Sequence, residues 1–295
     1  MISIIITTYQ EPITLSRAIK AFLNEKIEQD YEILVVAPDK ESEKIAQQFS
    51  QKYSQVKYLA DQGKGKPSAL NLAFQSAKGN ILVLTDGDVY IAPGALHYLL
   101  IPFRNPKIGA VSGHPIPVNS RYNLFGYWAH LLTEQGAHQT RQLYQRQDRP
   151  IDCSGYFYAI RSIIKQIPED VLSDDAVISQ IITQRGYQID YAPKSIVYVR
   201  YPNNFSDWLL QKTRSAGGYE QLKKYFSQGS QMRGFKEVLF WGLFKIWKYP
   251  QNLKEFFWTI LLCFARIYLW LNILWKLKIK RYSLSQLWKR VESTK

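Results

Sequence analysis

The first third of the chain alternates apolar runs with amphipathic segments. Apolar runs rich in β-branched residues, typical of buried strands, cover residues 2–9, 31–39, 56–61 and 80–88. A segment with helical spacing follows each of the first three runs, and in the earliest of these Leu15, Ile19 and Phe22 share one face. This alternation predicts an α/β fold with a parallel sheet and helices on both faces. Ligands of such sheets bind beyond the carboxyl ends of the strands.

The pattern is less regular over residues 108–226. In chain order we predict a strand over 108–118 and an aromatic helix over 123–136, followed by the block 152–161, to which the pattern assigns no element. We then predict a helix that opens with acidic residues, two strands up to 199, and a helix over 203–226 with a glycine break. The sequence shows no internal repeat and no low-complexity linker. We therefore predict one α/β domain over residues 1–230.

The character of the sequence changes after residue 230. Residues 256–275 are almost entirely apolar, with Arg266 as their one charge, and are long enough to cross the core of a bilayer. Basic and aromatic residues flank this stretch on both sides, which favours helices lying along the cytoplasmic face of the cell membrane. We predict a membrane-associated helical region over residues 231–295, with a single span as the alternative.

The net charge, the cysteines and the histidines limit the partners and sites that the sequence suggests. The formal net charge of +14 suits nucleic acid, an anionic membrane surface or phosphorylated ligands. Because the basic residues gather beside the apolar stretch and no recognition motif accompanies them, we expect a membrane surface and no nucleic acid as partner. Cys153 and Cys263 suggest neither a disulfide framework nor a zinc site. His114 and His130 stand in aromatic-rich sequence, and we expect structural roles for both.

Two carboxylates, one residue apart, end the fourth apolar run. Asp86 and Asp88 can shape a turn, or they can hold a divalent cation, which prefers oxygen ligands. A loop with Lys64 and Lys66 precedes this run and suits phosphate charge, although it lacks the spacing of a P-loop. The strand end and the lysine loop together favour the cation.

Several sequence blocks resemble the family 2 glycosyltransferases of the GT-A fold. The blocks are SIIITTYQEP, ILVVAPD and GKGKPSALNLAFQSAKGNILVLTDGDV, followed in the family's order by CSGYFYAIR, LSDDAVISQIITQRGYQIDYAP and QKTRSAGG. The resemblance covers roughly residues 2–220. It implies a GT-A fold, a Rossmann-like mixed and mostly parallel sheet flanked by helices, to which the C-terminal region adds membrane-associated helices.

The resemblance implies a role for each residue that matches the family's donor motifs. The nucleotide-sugar positions are Thr7, Tyr9 and Glu11 for the base and ribose, Asp39 for the base, and Lys66 and Arg214 for the diphosphate. Asp88 matches the ligand of a divalent metal, Mg²⁺ or Mn²⁺, and Asp86 matches a metal or ribose contact.

The later blocks imply the acceptor side. Asp175 matches the general base and Asp174 its support, although acidic residues also suit a helix N-terminus. Gly155 and Gln211 match acceptor-side positions. Ser215 stands where processive synthases carry tryptophan, which indicates non-processive transfer.

These matches predict an inverting, metal-dependent glycosyltransferase. It would move a sugar from a nucleoside diphosphate, UDP by family habit, to a hydroxyl of a lipid-linked or cell-envelope glycan. Two alternatives stay open: a non-catalytic membrane-attached subunit that binds sugar nucleotides, and a nucleotidyltransferase.

Overall fold

A computed structural model describes residues 1–226, 246–275 and 293–294 of the chain. The strands are β1 (Ile2–Thr7), β2 (Tyr31–Ala37), β3 (Val56–Ala60), β4 (Ile81–Asp86), β5 (Tyr90–Ile91), β6 (Ile108–Pro117), β7 (Phe157–Arg161) and β8 (Gln188–Val199). The α-helices are α1 (Pro12–Leu23), α2 (Lys40–Ser50), α3 (Lys66–Ser76), α4 (Ala95–Leu100), α5 (Leu124–Leu131), α6 (Gln139–Arg146), α7 (Asp174–Gln184), α8 (Phe205–Tyr225) and α9 (Leu253–Leu274). A 3₁₀ turn (Ile101–Arg104) follows α4, and a π-helical segment (Leu132–His138) joins α5 to α6.

The strands form one mixed sheet in the order β3-β2-β1-β4-β7-β6-β8-β5. The first four strands of this order run parallel, β7 is antiparallel to both of its neighbours, β6 and β8 are parallel, and β5 is antiparallel to β8. The predicted mixed, mostly parallel sheet is therefore confirmed. The alternation of strands and helices alone predicts a fully parallel sheet. This prediction is wrong at β7, which lies antiparallel between β4 and β6.

The apolar strands bury both of their faces. Along β1, Ile4 and Ile6 belong to one hydrophobic cluster with α1, α2 and α4, whereas Ile5 belongs to a second cluster with α3 and α7. Successive side chains of a strand point to opposite faces, so a continuous apolar run fits a sheet covered on both sides. The carboxyl ends of the parallel strands are thereby fixed between two helix layers.

Two local predictions were wrong. The predicted glycine break does not interrupt α8, which is continuous from Phe205 to Tyr225. Gly218 instead lets α8 approach the start of α7, because a Cβ at that position would lie 2.6 Å from Ser173 Cβ. The two strands expected before residue 199 are one strand, β8, whose pairing with β6 shifts register between Ser112 and His114.

Helix α9 is docked on the domain by one face and exposes apolar side chains on another. Thr259 Oγ1 and Tyr127 Oη share a hydrogen bond of 2.7 Å, and Arg121 pairs with Glu255 at 2.9 Å. Within the part of the chain that the structure describes, one helical stretch, Leu253–Ile273, is long and apolar enough to cross a membrane. The predicted boundary at residue 230 and most of the predicted basic tail lie outside the described residues.

Candidate active site

The carboxyl ends of β1 and β4 lie side by side at the centre of the sheet. Thr7 and Asp86 are register partners, and Thr7 Oγ1 donates to Asp86 Oδ1 over 3.2 Å. Gly87 permits this tight approach, since a Cβ there would lie 2.4 Å from Thr8 Oγ1. The sequence at the end of β4 thus places Asp86 and Asp88 where sheets of this kind bind ligands.

Asp88 carries a buried oxygen that is not satisfied. Its Oδ1 has no hydrogen-bond donor among the described residues. Burial and then the charge of Asp86 raise the pKa of Asp88 to about 7, against the opposing charges of Lys66 and Arg214. A buried carboxylate oxygen without a donor is costly. The Asp86 and Asp88 carboxylates together fit a hard divalent cation, which takes oxygen ligands.

Lys66, at the start of α3, connects the two acidic pairs. Its Nζ lies 2.7 Å from Asp86 Oδ1 and 3.3 Å from Asp174 Oδ2, and it donates to the Gly155 carbonyl over 3.4 Å. Burial disfavours its charge, but Asp174 and Asp86 outweigh burial and raise the pKa of Lys66. Lys66 therefore carries a positive charge at neutral pH between the end of β4 and the start of α7.

The second acidic pair opens helix α7. Ser173 Oγ donates to Asp175 Oδ1 over 2.8 Å, and a Cβ on Gly155 would lie 3.2 Å from Asp175 Oδ2. Asp174 accepts a hydrogen bond of 3.5 Å from the Tyr158 hydroxyl. Burial raises the pKa of Asp174, and the charge of Asp175 adds to that rise. The two carboxylates therefore face different neighbours: Asp174 faces Lys66, and Asp175 faces the loop before β7.

The other predicted donor residues lie on the loops that follow β1 and β2. Asp39 caps α2, and its second oxygen accepts from the backbone of Gln10 over 2.9 Å, which ties the two loops together. Glu11 precedes α1 and accepts from Thr8 Oγ1 over 3.4 Å. Tyr9 is 46% exposed. These loops flank the strand ends, as the sequence predicts.

Helix α8 brings Gln211 and Arg214 towards the same place. Gln211 Nε2 donates to the Tyr156 hydroxyl over 3.4 Å, while Gln211 Oε1 is buried without a donor in the described part of the chain. Burial raises the pKa of Tyr156 to about 12, and the charge of Arg214 opposes that rise. Arg214 also acts on the pKa of Asp88, so its charge reaches the strand-end carboxylates.

We call Asp86, Asp88, Asp174 and Asp175, with Lys66 between them, the carboxylate centre. The structure brings these residues together with Thr7, Gly155 and Arg214, although they are far apart in sequence. Sequence reasoning gave no role to Ser173 or Tyr158, and it placed Tyr156 in the acceptor-side loop only as an aromatic neighbour of Gly155. Ser173 directly precedes the acidic pair, so its position was a usable signal, whereas the contacts of the two tyrosines depend on the fold.

Comparisons with known proteins identify the family of the chain. The family model described as Glycosyl transferase family 2 matches residues 3–168. The chain is 26% identical over 252 residues to the probable glycosyltransferase YdaM of Bacillus subtilis (strain 168), across 81% of this chain and 60% of that protein. It is 25% identical over 185 residues to the poly-beta-1,6-N-acetyl-D-glucosamine synthase of Staphylococcus aureus (strain COL), across 59% of this chain and 43% of that protein. The chain thus spans about half the length of these curated relatives.

Solved structures show the same fold. The mannosyltransferase PcManGT from Pyrobaculum calidifontis, solved in complex with GDP-Man and Mn²⁺, superposes with a TM-score of 0.60 at 17% identity, across 97% of this chain and 82% of that one. This similarity confirms the GT-A fold that the resemblance predicted. Since the family model covers more than half of the sequence, the chain belongs to glycosyl transferase family 2.

Proposed function

We propose that the chain transfers a sugar from a nucleoside diphosphate to an acceptor hydroxyl, with inversion at the anomeric carbon and dependence on a divalent cation. The observation that carries this proposal is the meeting of two acidic pairs around Lys66. Inversion needs a base on the face of the sugar opposite the departing diphosphate. Two separate acidic pairs can supply this base on one side and hold a cation for the diphosphate on the other. Membership of the family supports the same reaction class.

The strand-end pair serves the donor. Asp88, with Asp86, would hold the divalent cation, Mg²⁺ or Mn²⁺, which supplies positive charge against the leaving diphosphate. Lys66 and Arg214 add fixed positive charge beside the same oxygens. Thr7, Tyr9, Glu11 and Asp39 line the approach for the nucleoside.

The helix-borne pair serves the acceptor. Asp175 takes the proton of the attacking hydroxyl, since one of its oxygens is held by Ser173 and the other faces Gly155. Asp174 supports it by holding Lys66 on the donor side. Gln211 and Gly155 belong to the acceptor side. Ser215, in place of a tryptophan, supports transfer of single residues over processive synthesis.

The substrates are proposed from family and relatives. We infer a UDP-sugar donor from the habit of the family, while the PcManGT structure, which holds GDP-Man and Mn²⁺, supports a metal-bound sugar nucleotide of either base. The polysaccharide synthase among the relatives supports a cell-envelope or lipid-linked glycan as acceptor. The nucleotidyltransferase alternative has no support in the family match.

A donor panel tests the proposed reaction. Purified protein in detergent is incubated with several UDP-, GDP- and TDP-sugars, with and without Mn²⁺, and release of the nucleoside diphosphate is measured. We expect metal-dependent release from one donor and its loss in Asp88→Asn. Asp30→Asn, an exposed acidic change remote from the centre, serves as the matched control. Absence of turnover with every donor, or full activity in Asp88→Asn, would contradict the proposal.

The outer face of α9 supports a place at the cytoplasmic surface of the cell membrane. Phe257, Phe264 and Leu271 are 62%, 65% and 60% exposed, and they point away from the side that packs on the domain. An apolar helix face beside a basic sequence suits a monotopic anchor, with a single span as the alternative.

Membrane association is tested by vesicle flotation with anionic lipid. A triple variant with Phe257→Ser, Phe264→Ser and Leu271→Ser should no longer float with the vesicles. Ile13→Ser, which removes an even more exposed apolar side chain elsewhere, should leave flotation unchanged. Carbonate extraction of native membranes then separates the two arrangements, because release supports a surface anchor and retention supports a span.

A further inference from the structure

Two of the four histidines meet a glutamate away from the carboxylate centre. His114 lies on β6, and Glu134 and His138 lie on the π-helical segment between α5 and α6. One ligand atom from each of the three side chains lies within 4.8 Å of the others. These three ligand atoms are near enough to reach one metal ion after a rearrangement of their side chains.

The first histidine has a fixed tautomer. His114 Nδ1 lies 3.1 Å from the Pro193 carbonyl oxygen. A carbonyl only accepts, so Nδ1 carries the hydrogen and Nε2 of the neutral ring keeps its lone pair. A metal-binding histidine typically donates its other ring N–H to a carbonyl or a carboxylate.

The second histidine is held at the same ring nitrogen. His138 Nδ1 and the Tyr191 hydroxyl of β8 share a hydrogen bond of 2.6 Å in which either group can donate, and the tautomer with the hydrogen on Nδ1 keeps the Nε2 lone pair for a metal ion. The pKa of His114 is lowered to about 4 and that of His138 is also lowered, in both cases chiefly by burial, while the charge of Glu134 acts in the opposite direction. Metal ions bind the neutral form of an imidazole.

The local backbone also has the form of a binding site. A π-helical turn is rare and is frequently found at functional sites. Here it places Glu134 and His138, four residues apart, beside β6. The rings of His114 and His138 are stacked with centroids 4.0 Å apart and 11° between their planes. Since nitrogen coordinates in the plane of its ring, ion binding must tilt the rings apart.

We propose that His114, Glu134 and His138 form a second metal site, which takes a Zn²⁺-like transition-metal cation. Two imidazoles and one carboxylate suit such an ion and leave a coordination position open. The carboxylate centre offers oxygen ligands instead and suits Mg²⁺ or Mn²⁺. The bound ion joins the π-helical segment to β6 and β8. It lies close to the acceptor side, since Ser112, two residues earlier on β6, accepts from the backbone of Ser154.

Direct metal titration tests this site independently of catalysis. Co²⁺, a spectroscopic substitute for Zn²⁺, is titrated into the untagged full chain carrying Asp88→Asn, which removes the main ligand of the carboxylate centre. We expect one Co²⁺ per chain with visible absorption bands, and displacement of the Co²⁺ by Zn²⁺. Absence of stoichiometric binding would overturn the proposal.

Variants in the same background identify the ligands. His138→Gln and Glu134→Gln should each weaken Co²⁺ binding at least tenfold, and Tyr191→Phe should weaken it to a smaller extent, because its hydroxyl orients a ligand. His97→Gln, which removes an exposed histidine outside the cluster, should bind as the background does. Melting temperatures measured without metal show whether each variant is folded. If His138→Gln does not fold, the Co²⁺ affinity of Glu134→Gln tests the assignment by itself. Unchanged binding in folded Glu134→Gln and His138→Gln would contradict the assignment.

Discussion

The two halves of the sheet are built by different rules. The half formed by β3, β2, β1 and β4 is parallel and keeps one continuous register. The other half contains an antiparallel strand, β7, and two register shifts between β6 and β8. The regular half delivers its functional groups, such as Asp86, directly from strand ends. The irregular half delivers them from a helix start and a loop, such as Asp175 and Gly155.

This difference indicates a division of labour in the proposed reaction. Strand ends held by a continuous register form a firm frame for the donor of the proposed reaction. Loops and helix starts can vary without disturbing the sheet, and they suit an acceptor that differs between proteins. Lys66 links the halves, since it contacts Asp86 from one and Asp174 from the other.

The largest expected effect is a loss of turnover when the proposed base on the irregular half of the sheet is removed. Asp175→Asn should lower kcat by about 10²- to 10⁴-fold, because it removes the proposed base and leaves the donor frame intact. Turnover at saturating donor measures this loss. Asp170→Asn is the matched control, since Asp170 is exposed, lies five residues earlier and pairs with Lys224 at the surface. Equal losses in both variants, or none in Asp175→Asn, would contradict the assigned base.

A smaller effect tests the packing that positions α7. Gly218→Ala places a Cβ 2.6 Å from Ser173 Cβ, so α7 and α8 must move apart. We expect about 1–3 kcal/mol of destabilisation and reduced turnover with little change in donor binding. Chemical unfolding and kinetics measure the two effects. Gly136→Ala, which meets no atom within 4 Å, should be neutral for stability, and a similar loss there would refute the steric explanation.

A third prediction concerns the stability of the parallel half of the sheet, formed by β3, β2, β1 and β4. Glu32 on β2 accepts from Ser3 on β1, from the backbone of Lys78 and from Lys57 on β3, each over 2.8 Å. Burial raises its pKa, but these three donors outweigh burial and lower it below the usual value. Glu32→Gln should therefore cost about 1–3 kcal/mol at pH 7.

The pH dependence of this effect has a definite sign. A lowered pKa means that the folded protein binds this proton less readily than the unfolded chain, so the stabilisation is complete above about pH 5 and is lost as pH falls. The difference between wild type and Glu32→Gln should shrink below about pH 4. Glu28→Gln, an exposed change, should show no such trend. A difference that stays constant from pH 7 to pH 3 would contradict the role of the carboxylate charge.

The same contrast explains what could be predicted from the sequence. The strands and helices around Thr7 and Asp86 follow from local apolar patterns, because each buried strand is one apolar run and each amphipathic helix is one periodic segment of the sequence. The continuity of α8 through Gly218 could not be predicted, since the reason for that glycine is a contact with Ser173, distant in sequence. The order in which β7 joins the sheet is likewise a tertiary feature.

The candidate site divides in the same way. Asp86, Asp88, Asp174 and Asp175 could be selected by motif, whereas the bridging position of Lys66 depends on the distances between β4 and α7. His114 illustrates the same limit. Taken alone in sequence it indicates a structural residue, and the π-helical segment that brings Glu134 and His138 beside it has no evident sequence signal.

Binding of a nucleoside diphosphate tests the central claim most directly, namely that the two acidic pairs serve different substrates. Calorimetry with UDP and with GDP, each with Mn²⁺, is performed on wild type, Asp88→Asn and Asp175→Asn. We predict metal-dependent binding of one nucleotide to wild type, retained in Asp175→Asn and weakened at least tenfold in Asp88→Asn. Equal loss in both variants, or wild-type affinity in Asp88→Asn, would contradict the division of the carboxylate centre.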